Sequence, residues 1–204
     1  MKYKDIGLDE LLNGLEDDIG DCPTPSMYQY YKGLKNRKII INDNITSDIL
    51  EKVIIPLIDM DNDGSGKPIE IILNTLGGEV YTGFALVDAI ENLKSPTVIR
   101  IVGTALSMGI YLAMAGHNNP NVTTVCNKYS VGLIHAGTVG YGIMDSNAAK
   151  DVSKFNERYE ETIVKDFVFT HSNITPEKYE EIERREYYMT ANEMLELGIV
   201  DKIL

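Results

Sequence analysis

The stretch IEIILNTLGGEVYTGFALVDAIENLKSPTVIRIVGTALSMGIYLAMAG, residues 69–116, carries one structural unit twice. Residues 69–73 (IEIIL) form a short aliphatic run that predicts a strand. LGG at 76–78 predicts a tight turn, and residues 79–93 set their apolar side chains on one helical stripe. The order then repeats. TVIRIVG (97–103) predicts a strand, TAL a turn, and SMGIYLAMAG (107–116) a helix that is apolar nearly all round and is therefore buried. Strands alternating with helices at this spacing predict an α/β fold with mostly parallel pairing.

The same alternation extends outward. Before the central stretch, RKIIIND (37–43) reads as a buried strand, Thr46, Ser47 and Asp48 offer N-caps for a helix through about Met60, and DNDGSGKP (61–68) is a turn-rich loop. After it, VTTV (122–125) and YSVGLIHA (129–136) predict two more strands. Residues 146–171 read as one long charged helix whose apolar side chains recur at three- and four-residue steps, a pattern suited to packing on something outside the globule. Thr175-Pro176-Glu177 opens another helix, Thr190 and Glu193 have capping-box spacing, and IVDKIL (199–204) closes as a strand. Residues 1–26 differ in kind: an acidic, loosely amphipathic piece breaks at Cys-Pro-Thr-Pro-Ser (22–26), which reads as extended chain.

A chain of 204 residues is long enough for one domain with a substantial core. Its 19 Lys and Arg against 31 Asp and Glu leave a net charge of -12. With no dense basic cluster, that excess argues against nucleic acid and against anionic membranes as partners, since both need cationic side chains to displace counterions. No run approaches the roughly 20 apolar residues of a membrane span, and MKYKDIGLDELL has no signal-peptide core. Two distant cysteines, Cys22 and Cys126, fit reduced thiols, so the expected location is the cytoplasm. His117, His135 and His171 lack ligand spacing, so no metal is expected.

Acyl transfer to a serine needs a base in hydrogen-bond reach, a group that orients the base, and N–H donors for the oxyanion. Ser107 stands at a strand-to-helix turn, at the positive end of a helix dipole. Alone it is an ordinary N-cap, and His135, ending an apolar strand, is alone an ordinary core histidine. Their joint order carries the argument: Gly77-Gly78 ends one strand, Ser107 the next, and His135 a later one.

Three blocks, ILNTLGGEVYTGFAL, VGTALSMGIYLAMAG and YSVGLIHAG, resemble in unbroken order the motif blocks of the Clp protease proteolytic subunit, a self-compartmentalising serine peptidase. YYKGLKNRKIII and MTANEMLELGIVDKIL are similar to that family as well. The resemblance spans about residues 28–204, leaving 1–27 as a divergent N-terminal segment. It implies a Clp- and crotonase-like spiral of strand-strand-helix units, with residues 146–171 as a protruding handle helix that joins seven-membered rings in stacked pairs.

By the same resemblance Ser107 is the nucleophile, His135 the base, and the N–H groups of Gly78 and Met108 the oxyanion hole. The substrate strand would lie between Gly77, Glu79 and Val80 on one side and Ala136 and Gly137 on the other. No organic cofactor is implied. The partners would be polypeptide substrates, further copies of the chain and a hexameric unfolding ATPase. The third triad position, an Asp in the family, is Glu186 here, one methylene longer. Leu76 replaces a Pro before the glycine pair, Ala136-Gly137 replaces Gln-Pro after the histidine, and Arg184 replaces an acidic residue of an inter-ring salt bridge. The first 27 residues do not resemble the family's axial-pore segment, which meets the ATPase. Competing readings are a catalytically silent ring subunit, a crotonase-like acyl-CoA enzyme that would not need Ser107 and His135 together, and a Ser-Lys peptidase for which Lys128 and Lys150 lack a matching motif. A viral or phage-encoded relative that processes capsid proteins is a variant of the same chemistry.

Overall fold

A computed structural model describes residues 24–137, 145–182 and 184–204. Among these residues seven strands form one sheet: β1 (Lys38–Ile41), β2 (Ile69–Thr75), β3 (Thr97–Leu106), β4 (Val122–Cys126), β5 (Val131–Ile134), β6 (Tyr187–Thr190) and β7 (Lys202–Ile203). The main path runs β1-β2-β3-β4-β7, all parallel. β3 is long enough to serve two neighbours: residues 97–101 pair with β4, and Thr104–Leu106 pair in parallel with β5. β6 is antiparallel to β5 and closes that branch. Residues 104–106, expected as a turn, are thus strand, because β5 supplies a second ladder after β4 ends.

The helices follow the crossover logic of parallel strands. Helix α1 spans Pro25–Lys35; a π-helical turn at Leu50–Ile54 runs into α2 (Ile55–Asn62). Helix α3 (Val80–Glu91) joins β2 to β3, and α4 (Met108–Met114) leaves β3 directly. All seven residues of α4 are buried, as its uniform apolarity requires. The α1 start corrects the extended reading at Pro25 and Ser26: the Thr24 hydroxyl accepts from Met27 N and Pro25 occupies the first turn, where its missing N–H costs nothing; Cys22 and Pro23 lie outside the described residues. The acidic piece at 8–20 lies outside the described residues.

The helical reading of 146–171 corresponds to α5 (Ser146–Tyr159), a π-helical turn (Glu160–Val164) and α6 (Lys165–Thr170). No residue of α5 is buried in the single chain, whereas Val164, Phe167 and Val168 are. Tyr81 at the start of α3 meets α5 by an edge-on contact with Tyr159 and a 2.6 Å bond from its hydroxyl to Asn156 Oδ1. Helices α7 (Pro176–Ile182) and α8 (Ala191–Glu196) complete the chain, the latter opened by the expected Thr190–Glu193 capping box. The core is dominated by alternate strand residues, Ile69, Ile71, Leu73, Ile99 and Ile101, with Leu86 and Ile90 of α3 and Ile110 and Leu112 of α4.

Candidate active site

Ser107 links β3 to α4 with φ 52° and ψ -125°, backbone angles that a non-glycine residue adopts at a cost of about 1–3 kcal/mol. Its surroundings over-determine it. Ser107 N donates to Leu133 O at 3.0 Å, extending the β3–β5 ladder, and Ser107 O accepts from Ile110 N at 3.0 Å. Burial of Ile110, Leu112 and Met114 on α4, at about 1.5–3 kcal/mol each, together outweighs the strain.

The strand ends bring three side chains into a line. His135 follows β5 and Glu186 precedes β6; because Ile134 pairs with Tyr187 in the antiparallel ladder, the two are the next residues in register. His135 Nε2 is 2.8 Å from Ser107 Oγ, and His135 Nδ1 is 3.0 Å from Glu186 Oε1. The longer Glu side chain therefore reaches the imidazole at ordinary hydrogen-bond length. A carboxylate only accepts, so with Glu186 as the acceptor a neutral His135 carries its proton on Nδ1 and turns the Nε2 lone pair to the serine hydroxyl. The environment is uneven, with the His135 side chain 21% exposed and that of Glu186 61%.

The glycine pair is fixed by β1's exit segment. Ile45 N donates to Gly77 O at 2.8 Å and Glu79 N donates to Ile45 O at 2.9 Å, forming a parallel bridge between Ile45 and Gly78. The N–H and C=O of Gly78 itself then point to the opposite side. Gly77 N donates to Thr75 Oγ1 at 3.1 Å, and that hydroxyl donates to Asp43 O at 2.6 Å. Thr75 thus anchors the turn that Leu76, 66% exposed, leaves without a proline. Among the described residues, neither Gly78 N–H nor the first helical N–H, Met108, donates to a protein acceptor.

A hydroxyl hydrogen-bonded to an oriented imidazole, beside two open backbone N–H groups, is the equipment of acyl transfer. A family model, Clp protease, matches residues 24–204. The chain belongs to the Clp protease family. It is also 29% identical over 178 residues to the ATP-dependent Clp protease proteolytic subunit of Deinococcus radiodurans, covering 86% of this chain and 83% of that protein. The α/β sheet of parallel strands agrees with the Clp fold. Membership makes the chain a peptidase-type protein.

Of the other residues named from sequence, Glu79 is exposed and accepts from the Thr82 hydroxyl at 2.7 Å, Val80 begins α3 with its side chain exposed, and Ala136 and Gly137 are exposed just after His135. Sequence reasoning missed Thr75, Ile45 and strand β6. The NTLGG run contained the signal for Thr75, a hydroxyl two residues before a glycine turn. Among the described residues no group of three or more His, Cys, Asp or Glu is arranged to hold a metal, and no helix is long and apolar enough to cross a membrane.

Proposed function

We propose that the protein is a serine endopeptidase that cleaves peptide bonds through an acyl-enzyme. The observation that carries this reading is the relay Ser107 Oγ to His135 Nε2 at 2.8 Å and His135 Nδ1 to Glu186 at 3.0 Å. Ser107 attacks the scissile carbonyl as its proton passes to His135 Nε2, and Glu186 stabilises the imidazolium. The tetrahedral oxyanion accepts from Gly78 and Met108 N–H. His135 then protonates the leaving amine, and the acyl-enzyme is released by water that His135 activates in turn.

The substrate binds as an added strand between the Gly77 to Val80 backbone and Ala136-Gly137, so main-chain hydrogen bonds provide affinity with little sequence preference. Residues 28–204 act as the peptidase domain, with 1–27 as a distinct N-terminal segment and α1 crossing the junction. Residues 146–171 serve as the handle through which seven-membered rings stack and enclose a chamber, a role supported by the absence of buried side chains on α5. The Deinococcus relative is named as an ATP-dependent proteolytic subunit; by that likeness an ATP-driven unfoldase feeds this chain in the cytoplasm.

Incubation with a fluorophosphonate probe and with short fluorogenic peptides tests the proposal: labelling and turnover that both disappear in Ser107→Ala support it. The exposure of Glu186 favours one second reading, a silent ring subunit. An assembled wild-type sample that neither labels nor cleaves would establish that alternative.

A further inference from the structure

We infer that Asn74 is a positioning residue of the proposed hydrolase, holding the strand end that carries Ser107 against the strand end that carries the glycine turn. The inference rests on the reading of Ser107 as the nucleophile.

Regular pairing of β2 with β3 stops just where alignment matters. Leu73 pairs with Ile101 and the next pair is Thr75 with Ala105, so β2 advances two residues while β3 advances four. Ladder hydrogen bonds cannot span that mismatch. The Asn74 side chain takes their place. Its Oδ1 accepts from Thr104 N at 3.0 Å and lies 3.1 Å from Thr104 Oγ1, whose proton is shared with Thr75 O at 3.3 Å. Its Nδ2 donates to Asn42 Oδ1 at 2.6 Å, which ties in the segment leaving β1. One amide therefore connects the exits of all three strands.

The chain makes room for this amide. Gly103 has φ 98°, and a Cβ there would lie 2.6 Å from Asn74 Oδ1. The half-buried side chain also lines a surface cavity of about 330 Å³, shared with Asn42, Thr75 and Thr104. Three residues beyond Thr104 is Ser107, and three beyond Asn74 is Gly77, whose own missing Cβ faces the Ser107 Cβ. A shift of β3 against β2 at the bulge is transmitted over three residues on each strand to the nucleophile and the oxyanion donors. Misplacement of reacting groups by about 1 Å costs on the order of 10²-fold in rate.

The test compares Asn74→Ala, Asn74→Asp and Thr104→Val in the full chain. Asn74→Ala should lower kcat on a fluorogenic peptide, and the rate of fluorophosphonate labelling at Ser107, by about 10–100-fold with KM changed less than about 3-fold. Asn74→Asp keeps the acceptor for Thr104 and should stay within about 3-fold of wild type, Asn42 rotating its amide to donate. Thr104→Val removes only the hydroxyl and should slow labelling several-fold with little change in melting temperature. Its result stands if Asn74→Ala fails to fold. Hydrogen exchange of residues 103–108 supplies a readout independent of catalysis, expected faster in Asn74→Ala and Thr104→Val while residues 97–101 are unchanged. Wild-type rates and exchange in both variants would overturn the inference, as would equal losses in Asn74→Asp and Asn74→Ala. A wild-type protein that neither labels nor cleaves would remove the hydrolase reading alone, and the exchange comparison would then decide the role of Asn74.

Discussion

A Cβ placed on Gly77 would lie 2.6 Å from the Cβ of Ser107 and 2.7 Å from Leu106 O. Gly77 also has φ 99°, a conformation that suits glycine. Gly77→Ala combines backbone strain with overlap against main chain that cannot yield, and should destabilise the protein by about 2–4 kcal/mol. Thermal or urea unfolding measures the loss, and fluorophosphonate labelling of the remaining folded fraction should be slower than in wild type.

In the proposed mechanism Glu186 holds His135 in the tautomer that accepts the Ser107 proton. Glu186→Gln keeps the size but can present an N–H to the ring, and should reduce kcat by about 10²–10⁴-fold, as loss of the orienting carboxylate does in serine proteases. Glu186→Asp removes one methylene, which lengthens a hydrogen bond that is already 3.0 Å, and should recover only part of the activity. Peptide hydrolysis by the two variants at one pH measures both effects.

Much of this constellation was legible in the sequence because each element ends on a residue with a chemical identity. Strand β2 ends at a glycine pair, β3 at Ser107 and β5 at His135, and apolar periodicity located all three strands. Strand β6 was not legible. Its four residues, Tyr187–Thr190, have burial divided between faces and no alternation strong enough to separate them from a loop. Its antiparallel pairing with β5 is a long-range fact, and it is that pairing which sets Glu186 beside His135. Likewise the continuation of β3 through Ala105 and Leu106 depends on β5, more than 20 residues downstream. The α1 start was misread because proline breaks helices in their interior yet suits their first turn.

Cys126 is fully buried, and burial pushes its thiol up from the ordinary value. A thiol without solvent access and with little thiolate is unreactive. Treatment of native protein with a disulfide-exchange reagent near pH 8 should leave Cys126 unmodified by peptide mass mapping, and the same reagent in denaturant should modify it.

Asp61 caps the chain entering β3, its Oδ1 accepting from Lys94 N at 3.0 Å and from Ser95 N at 2.7 Å. Burial alone would raise its pKa, but these N–H groups and the Lys94 charge bring it below the ordinary carboxylate value. A depressed folded pKa means that the stabilisation is complete above the unfolded value, about 3.9, and is lost as pH falls through the folded one. Asp61→Asn should therefore cost about 1 kcal/mol at neutral pH, and its unfolding curve should converge with that of wild type as acidification carries the pH below the unfolded value and through the lower folded one. Urea titrations across that range measure the convergence.

The central claim is that the Ser107 hydroxyl, activated by His135, is a nucleophile toward acyl and phosphoryl electrophiles. Intact-mass measurement after incubation with a fluorophosphonate, followed by peptide mapping, tests it directly. The account predicts a single adduct, located on Ser107 and absent in both Ser107→Ala and His135→Ala. An unmodified Ser107 in folded wild-type protein, or an adduct of equal rate in His135→Ala, would contradict it.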